Sequence, residues 1–176
     1  DKIAHLDCEG YAKAIMDHYE IDYDIPEEDF KRLPKEGPYI TISNHPLGGI
    51  DGILLMRLLL PLRQDYKIMA NFLLERMAPL APYVLPVNPF EEHKGARSSI
   101  AGFKMAFQHL RDGHPLGIFP AGEVSTHKDG KLIVDKPWEE AALKLIRKAQ
   151  VPVVPIYFHG KNSKLFYRLA KWRPIF

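Results

Sequence analysis

The 176-residue chain is 46% hydrophobic and 26% charged, a composition that excludes a disordered chain and predicts one packed domain. Its single cysteine, Cys8, excludes an intramolecular disulfide. The most apolar stretch, residues 53–60, is interrupted by Arg57 and is much shorter than the roughly 20 residues of a membrane-spanning helix. The sequence does not begin with methionine, and we expect it to be part of a longer protein.

Charge is distributed unevenly along the chain, although the net charge is only +2. Residues 1–36 carry 11 acidic and 5 basic side chains, whereas residues 141–176 carry 8 basic and none acidic. The basic segment is typical of contact with anionic lipid or a phosphorylated ligand, and the alternative is a solvated surface that aids solubility. The acidic first segment and the lack of a recognition motif argue against nucleic-acid binding.

The spacing of apolar residues predicts helices that alternate with short strands. Helices are predicted over residues 2–20, from Pro26, over 51–60, 72–77, 97–111, 138–149 and 164–171. Strands are predicted over residues 38–43, 66–70, 83–87, 115–119 and 151–158. This order is typical of an α/β fold with a mostly parallel central sheet flanked by helices. We expect a single domain over 1–176, with 1–36 as a helical lead-in and 38–160 as the core.

Three polar clusters follow predicted strands, at residues 44–51, 120–125 and 159–162. Ligands of open α/β sheets bind beyond the carboxyl ends of the strands, so we expect the clusters to meet in one crevice. The helix predicted over residues 51–60 is apolar nearly all round, which indicates burial in the core or contact with lipid.

The first cluster, "NHPLGGID", contains a histidine and a carboxylate, His45 and Asp51. A histidine held by a carboxylate can take a proton from an alcohol and make it a nucleophile. Gly48 and Gly49 permit the backbone conformations needed to turn Asp51 back toward the ring. The alternative is an Asp51 that caps the helix beside an unrelated loop histidine.

The sequence lacks the motifs of a serine hydrolase, a nucleotide-binding phosphate loop or a metal centre. It has no Gly-x-Ser-x-Gly elbow, no Walker phosphate loop and no spacing typical of a metal centre. The nucleophile is therefore expected to be a hydroxyl of the substrate. The second cluster, "IFPAGEVST", follows a strand, and a glycine there exposes backbone amides that can hold an anion. The alternative is a turn that happens to be polar.

These stretches together resemble the glycerolipid acyltransferase family, the lysophospholipid acyltransferase-like enzymes. The family's first motif is Asn-His, a short gap and Asp, which "NHPLGGID" resembles. Its third, Phe-Pro-Glu-Gly-Thr-Arg-Ser, is matched at Phe119, Pro120, Gly122 and Ser125. Its fourth, a proline-punctuated strand, resembles "VPVVPIYFHG". The three matches occur in the family's order across residues 38–160.

The chain also departs from the family's pattern. Five residues separate His45 from Asp51 where the family has four, and Ala121, Glu123 and Val124 replace the family's glutamate, threonine and arginine. Arg97 is a loose candidate for the phosphate-binding arginine of the second motif, or an ordinary residue at a helix start. These changes resemble a hemolysin-like bacterial branch that includes acyltransferases for ornithine lipids. They disfavour glycerol 3-phosphate as the acceptor.

The resemblance implies acyl transfer from a thioester of coenzyme A or acyl carrier protein to a lyso-lipid hydroxyl, at the cytoplasmic face of the inner membrane. It implies that His45 is the general base and that Asp51 orients it, with amides near Gly122 stabilising the oxyanion. No tightly bound cofactor or metal is expected. A noncatalytic lipid-binding or hemolysin-like protein of the same fold is the alternative. The residues expected to bind substrates are Asn44, Gly48, Gly49, Arg97, Phe119, Pro120, Gly122, Glu123 and Ser125.

Overall fold

A computed structural model describes residues 3–87, 97–128, 132–163 and 165–167. Its strands are β1 (Ile40–Ser43), β2 (Lys67–Asn71), β3 (Val84–Val87), β4 (Leu116–Ile118), β5 (Thr126–Lys128), β6 (Leu132–Val134) and β7 (Val153–Ile156). Its α-helices are α1 (Cys8–His18), α2 (Glu27–Lys31), α3 (Gly49–Leu59), α4 (Arg97–Arg111) and α5 (Glu140–Ala149), with 3₁₀ turns at Phe72–Arg76 and Ala81–Tyr83.

Five strands form one parallel sheet in the order β3-β2-β4-β1-β7. Helices α1 and α3 cover one face through a buried cluster that includes Tyr11, Leu55 and Leu59. Helices α4 and α5 cover the other, where Leu110 and Leu145 pack with residues of β1 and β4. The predicted α/β fold with a mostly parallel, helix-flanked sheet is confirmed.

A buried tyrosine crosses the centre of this sheet. The hydroxyl of Tyr66 lies 2.7 Å from Oγ1 of Thr41, and both residues are fully buried. Tyr66 reaches Thr41 on β1 by passing over Gly117 of β4, where an added Cβ would lie 2.0 Å from the tyrosine hydroxyl. The middle strand therefore requires glycine at this position.

Most predicted elements are confirmed, with differences at their ends. Helix α4 has the predicted bounds, whereas α1 begins only at Cys8 because the Asp7 side chain accepts from the N–H of Gly10 and caps the helix. The antiparallel hairpin of β5 and β6 was not predicted, since strands of three residues are too short to show an alternating pattern. Of the predicted last helix, residues 165–167 are helical, and residues 164 and 168–171 lie outside the described residues.

The parallel arrangement places the carboxyl ends of β1, β4 and β7 at one edge of the sheet, next to each other. Each of these ends leads into one of the three polar clusters of the sequence. In the described part of the chain, none of the helices is both long enough and apolar enough to cross a bilayer.

Candidate active site

His45 and Asp51 meet at the carboxyl end of β1. Nδ1 of His45 lies 3.0 Å from Oδ2 of Asp51, which is completely buried in the first turn of α3. An ionised carboxylate only accepts hydrogen bonds, so Nδ1 carries the ring proton and Nε2 is left with a free electron pair. The ring is thus oriented to accept a proton at Nε2.

Asp51 is held in place by the loop it faces. Its Oδ2 also accepts from the main-chain N–H of Leu47 at 2.9 Å, while Oδ1 has no hydrogen-bond partner among the described residues. A buried carboxylate with this little compensation favours a positive charge beside it. Asp51 therefore lies where its carboxylate can stabilise a positive charge on the His45 ring.

The backbone of Gly48 makes this meeting possible across five intervening residues. Gly48 caps α3 with a φ of +71°, and its carbonyl accepts from the N–H of Asp51 at 3.0 Å. This left-handed conformation turns the chain so that the first turn of α3 presents Asp51 to His45. Gly49 is the first helical residue, and an added Cβ there would meet nothing within 4 Å. Only one of the two glycines is therefore required by the geometry.

The imidazole of His45 stacks on an aromatic ring from the second cluster. The ring centroids of His45 and Phe119 are 4.1 Å apart, with 27° between the planes. Phe119 directly follows β4, so the neighbouring strand fixes the plane of the ring. The side chain of His45 keeps 18% of its surface exposed, which leaves a route for a substrate to reach it.

The turn after Phe119 contacts the main chain of residues 44–48, the histidine loop. The N–H of Ser125 donates to the carbonyl of His45 at 2.9 Å. A Cβ added at Gly48 would lie 3.3 Å from Cγ2 of Val124, so the two residues are close neighbours. Gly122 has a φ of +69°, but its N–H donates to the carbonyl of Phe119 at 2.9 Å. An oxyanion at this turn would therefore have to use amides other than that of Gly122.

Asp135, which sequence reasoning missed, joins the two loops. Its Oδ1 accepts from the hydroxyl of Ser125 and, at 3.4 Å, from the main-chain N–H of His45. The residue lies at the end of β6, in the hairpin that the sequence did not reveal. A carboxylate in a short polar turn gives no signal of its own, so only the hairpin register could have identified it.

The third cluster reaches the same loop. The carboxamide of Asn44 donates to the carbonyl of Phe158 at 3.0 Å and accepts from its N–H at 2.7 Å, which extends the pairing of β1 with β7. Asn162 donates to the carbonyl of Pro46 at 2.7 Å. Each of the other two clusters therefore contacts the first, and their predicted opening into one crevice stays a prediction. Asn44 supports the loop through these bonds, and its predicted contact with substrate stays a prediction.

The other predicted binding residues are spread around this centre. Pro120 is buried, and its carbonyl accepts from the N–H of Glu139. Glu123 is exposed and forms an ion pair with Lys136. Arg97 is the first residue of α4, and its side chain lies outside what the structure describes.

A cleft of about 200 Å³ opens beside the histidine loop, between the ends of β1 and β7. Asp135 and Asn44 contribute polar groups to it, and Trp138 and Tyr157 contribute exposed aromatic side chains. The lining of this shallow cleft therefore combines apolar walls with a few polar groups.

The cysteine is not part of this site. Cys8 is 4% exposed in α1 and its Sγ contacts Sδ of Met56 at 3.6 Å. Burial, with a smaller contribution from Asp7, raises the pKa of the Cys8 thiol to about 11. The thiol is protonated at neutral pH, so Cys8 is not a nucleophile for group transfer.

A parallel α/β sheet with a carboxylate-held histidine at its carboxyl edge fits enzymes that use a histidine as a general base. Residues 3–176 match the acyltransferase family, and the chain belongs to it. The resemblance noted from the three sequence motifs is thereby confirmed.

Two curated relatives are named for lipid acylation. The chain is 34% identical over 152 residues to a lyso-glycine lipid O-acyltransferase of Bacteroides thetaiotaomicron, covering 85% of this chain and 53% of that protein. It is 31% identical over 151 residues to the protein of the same name from Phocaeicola vulgatus, covering 85% and 52%. The chain thus spans about half the length of these relatives.

Proposed function

We propose that the protein transfers a fatty acyl group from a thioester of coenzyme A or acyl carrier protein to a hydroxyl of a lyso-lipid. The observation that carries this proposal is the 3.0 Å contact between Nδ1 of His45 and the buried Asp51. This contact leaves Nε2 of a partly exposed imidazole as a base, in a chain of the acyltransferase family.

In the proposed reaction, Nε2 of His45 takes the proton of the acceptor hydroxyl while its oxygen attacks the thioester carbonyl. The new carbon–oxygen bond forms a tetrahedral oxyanion, whose collapse breaks the carbon–sulfur bond. The proton on His45 then passes to the leaving thiolate. Asp51 stabilises the imidazolium throughout, and the ester and the free thiol are the products.

Oxyanion stabilisation in this proposal falls to the turn after β4. The N–H of Gly122 is already donated to Phe119, so we assign the role to the amides of Glu123 and Val124. Among the described residues, neither amide donates a hydrogen bond to a main-chain carbonyl. Each such donor contributes roughly 3 kcal/mol to transition-state stabilisation in enzymes where it has been removed.

The acceptor we propose is a lyso-amino-acid lipid similar to lyso-glycine lipid. The names of both relatives specify that acceptor for those proteins. In this chain the family's third-motif arginine is replaced by Val124, which is 9% exposed and packs on Gly48. A buried valine supplies no charge for a phosphate, so this position favours an acceptor without one.

The test is turnover in the full-length protein with radiolabelled fatty acyl thioesters of coenzyme A and acyl carrier protein, against a panel of lyso-lipids. The panel contains lyso-glycine lipid and lysophosphatidate. We expect His45→Ala to lower kcat by about 100-fold or more, the usual contribution of a general base. The control is His18→Ala, an exposed histidine in the last turn of α1. Turnover retained by a folded His45→Ala variant would contradict the proposal.

We also propose that the protein is peripheral to the cytoplasmic face of the inner membrane, where a lyso-lipid acceptor is available. The excess of basic side chains over residues 141–176 supports this placement.

A further inference from the structure

The hairpin of β5 and β6 is closed at its base by a side-chain hydrogen bond. Thr126 pairs with Val134, so Ser125 and Asp135 occupy the next position along the two strands. The hydroxyl of Ser125 donates to Oδ1 of Asp135, and Ser125 is only 3% exposed. Ser125 and Asp135 thus form a partly buried hydrogen-bonded pair at the open end of the hairpin, which we call its neck.

This neck holds the main chain of His45 from both sides. On one side the carbonyl of His45 accepts from the N–H of Ser125 at 2.9 Å. On the other its N–H donates to Oδ1 of Asp135 at 3.4 Å. The peptide groups flanking the histidine are therefore tied to two residues that are also bonded to each other.

The side-chain contacts of His45 do not by themselves set the position of its Cα. Asp51 and Phe119 fix the rotation and the plane of the ring, but the ring moves with the main chain that carries it. We propose that Asp135 is a positioning residue that fixes the main chain of His45 relative to the acceptor hydroxyl. This inference rests on the proposed acyl transfer, because only a reacting group needs that precision.

If Asp135 had only a structural role, it would close the hairpin without affecting the position of His45. Two substitutions of Asp135 distinguish this role from positioning. Asp135→Asn keeps an oxygen that accepts from Ser125 and from His45 but removes the charge. Asp135→Ala removes both hydrogen bonds. The control is Ile133→Ala, which shortens a partly buried side chain of the same hairpin, opposite His127, without removing a bond to His45.

The experiment measures kcat, KM for both substrates, thermal unfolding and amide hydrogen exchange of His45 in the full-length protein. Asp135→Ala is expected to lower kcat by roughly 10-fold to 100-fold, the scale of a misplaced reacting group, and to speed exchange of the His45 amide. Its KM values should stay within about threefold of wild type, since positioning acts on the chemical step. Asp135→Asn should restore kcat to within about threefold, and Ile133→Ala should leave it unchanged.

Unchanged kcat and unchanged His45 exchange in Asp135→Ala would overturn the inference, and so would equal losses in the alanine and asparagine variants. If Asp135→Ala does not fold, Ser125→Ala serves instead. It should lower kcat by about fivefold through the lost hydrogen bond, with Ser125→Thr restoring it. No loss in Ser125→Ala would contradict the role. Amide exchange measures whether Asp135 restrains the main chain of His45, and this result does not depend on which reaction the protein catalyses. Turnover of the His45→Ala variant tests the acyl transfer separately.

Discussion

The adjacent glycines Gly48 and Gly49 differ in whether the backbone conformation requires glycine. Gly48 has a φ of +71°, and a Cβ there would lie 3.3 Å from Cγ2 of Val124. Gly49 has no such φ, and a Cβ there would meet nothing within 4 Å. At the residue scale, the link between the histidine loop and Asp51 depends on the first of them.

Substitution by alanine is therefore expected to destabilise the protein at Gly48 but not at Gly49. Gly48→Ala should reduce the free energy of unfolding by about 1–2 kcal/mol, because alanine is strained at positive φ. It should also reduce kcat, because the strain displaces Asp51 from His45. Gly49→Ala should be neutral or stabilising by up to about 1 kcal/mol in the first turn of a helix. Urea unfolding and turnover of both variants check this, and equal effects of the two would contradict it.

At the element scale, one arginine joins three connections at the amino end of the sheet. Arg63, in the connection from α3 to β2, is 8% exposed and donates to both carboxylate oxygens of Asp65, at 2.9 and 2.7 Å. It also donates to the carbonyls of Gly37, at 2.7 Å, and Gly113, at 3.3 Å. These glycines precede β1 and β4, so Arg63 aligns the starts of three neighbouring strands.

This cluster predicts how stability depends on pH. The hydrogen bonds from Arg63, with a smaller contribution from His114, lower the pKa of Asp65 to about 2. The unfolded chain binds the proton first, so the stabilisation from Asp65 is complete above about pH 4 and is lost as the pH falls toward 2. Between these values the free energy of unfolding should fall more steeply for the wild type than for Asp65→Asn.

Urea unfolding at a series of pH values measures this difference. The matched control is Asp112→Asn, since Asp112 is an exposed carboxylate that accepts from Gln108 at 2.8 Å. Its pH dependence should follow the wild type. Parallel curves for the wild type and Asp65→Asn would show that the cluster does not stabilise the fold through this charge.

At the scale of the whole molecule, the first segment is acidic and the last is basic. In the described part of the basic segment, Arg147 and Lys148 are exposed in the last turn of α5. Basic side chains near an anionic leaflet contribute about 1 kcal/mol each, and salt screens this attraction. The charge distribution therefore predicts salt-sensitive binding to anionic vesicles.

Flotation of the full-length protein with vesicles of neutral and anionic phospholipid checks this binding. Removal of two charges with Arg147→Gln and Lys148→Gln should weaken binding by roughly 25-fold, given about 1 kcal/mol for each charge. The control removes two positive charges from residues 1–36, with Lys13→Gln and Lys31→Gln, and should not weaken binding to the vesicles. Binding that is indifferent to salt would contradict a peripheral electrostatic contact.

Much of the site was predictable because the chemistry depends on residue types at a strand end. His45 and Asp51 flank a glycine pair directly after β1, and Phe119 and Ser125 follow β4 in the same way. Asp135 was not predictable, since its role depends on the register of two strands of three residues. The sequence also does not show that the amide of Gly122 is already used, because that bond is made within the turn itself.

The sequence by itself determined the α/β class, the order of the elements other than the hairpin of β5 and β6, and a histidine and an acid as candidates for one site. The periodicity of apolar residues and the residue types at strand ends are local properties. Only the tertiary structure decided which groups meet: Asp51 with His45 through the left-handed Gly48, and Asp135 with the main chain of His45 through the hairpin. Contacts of this kind depend on backbone conformation and strand register, and these are fixed only when the whole chain packs.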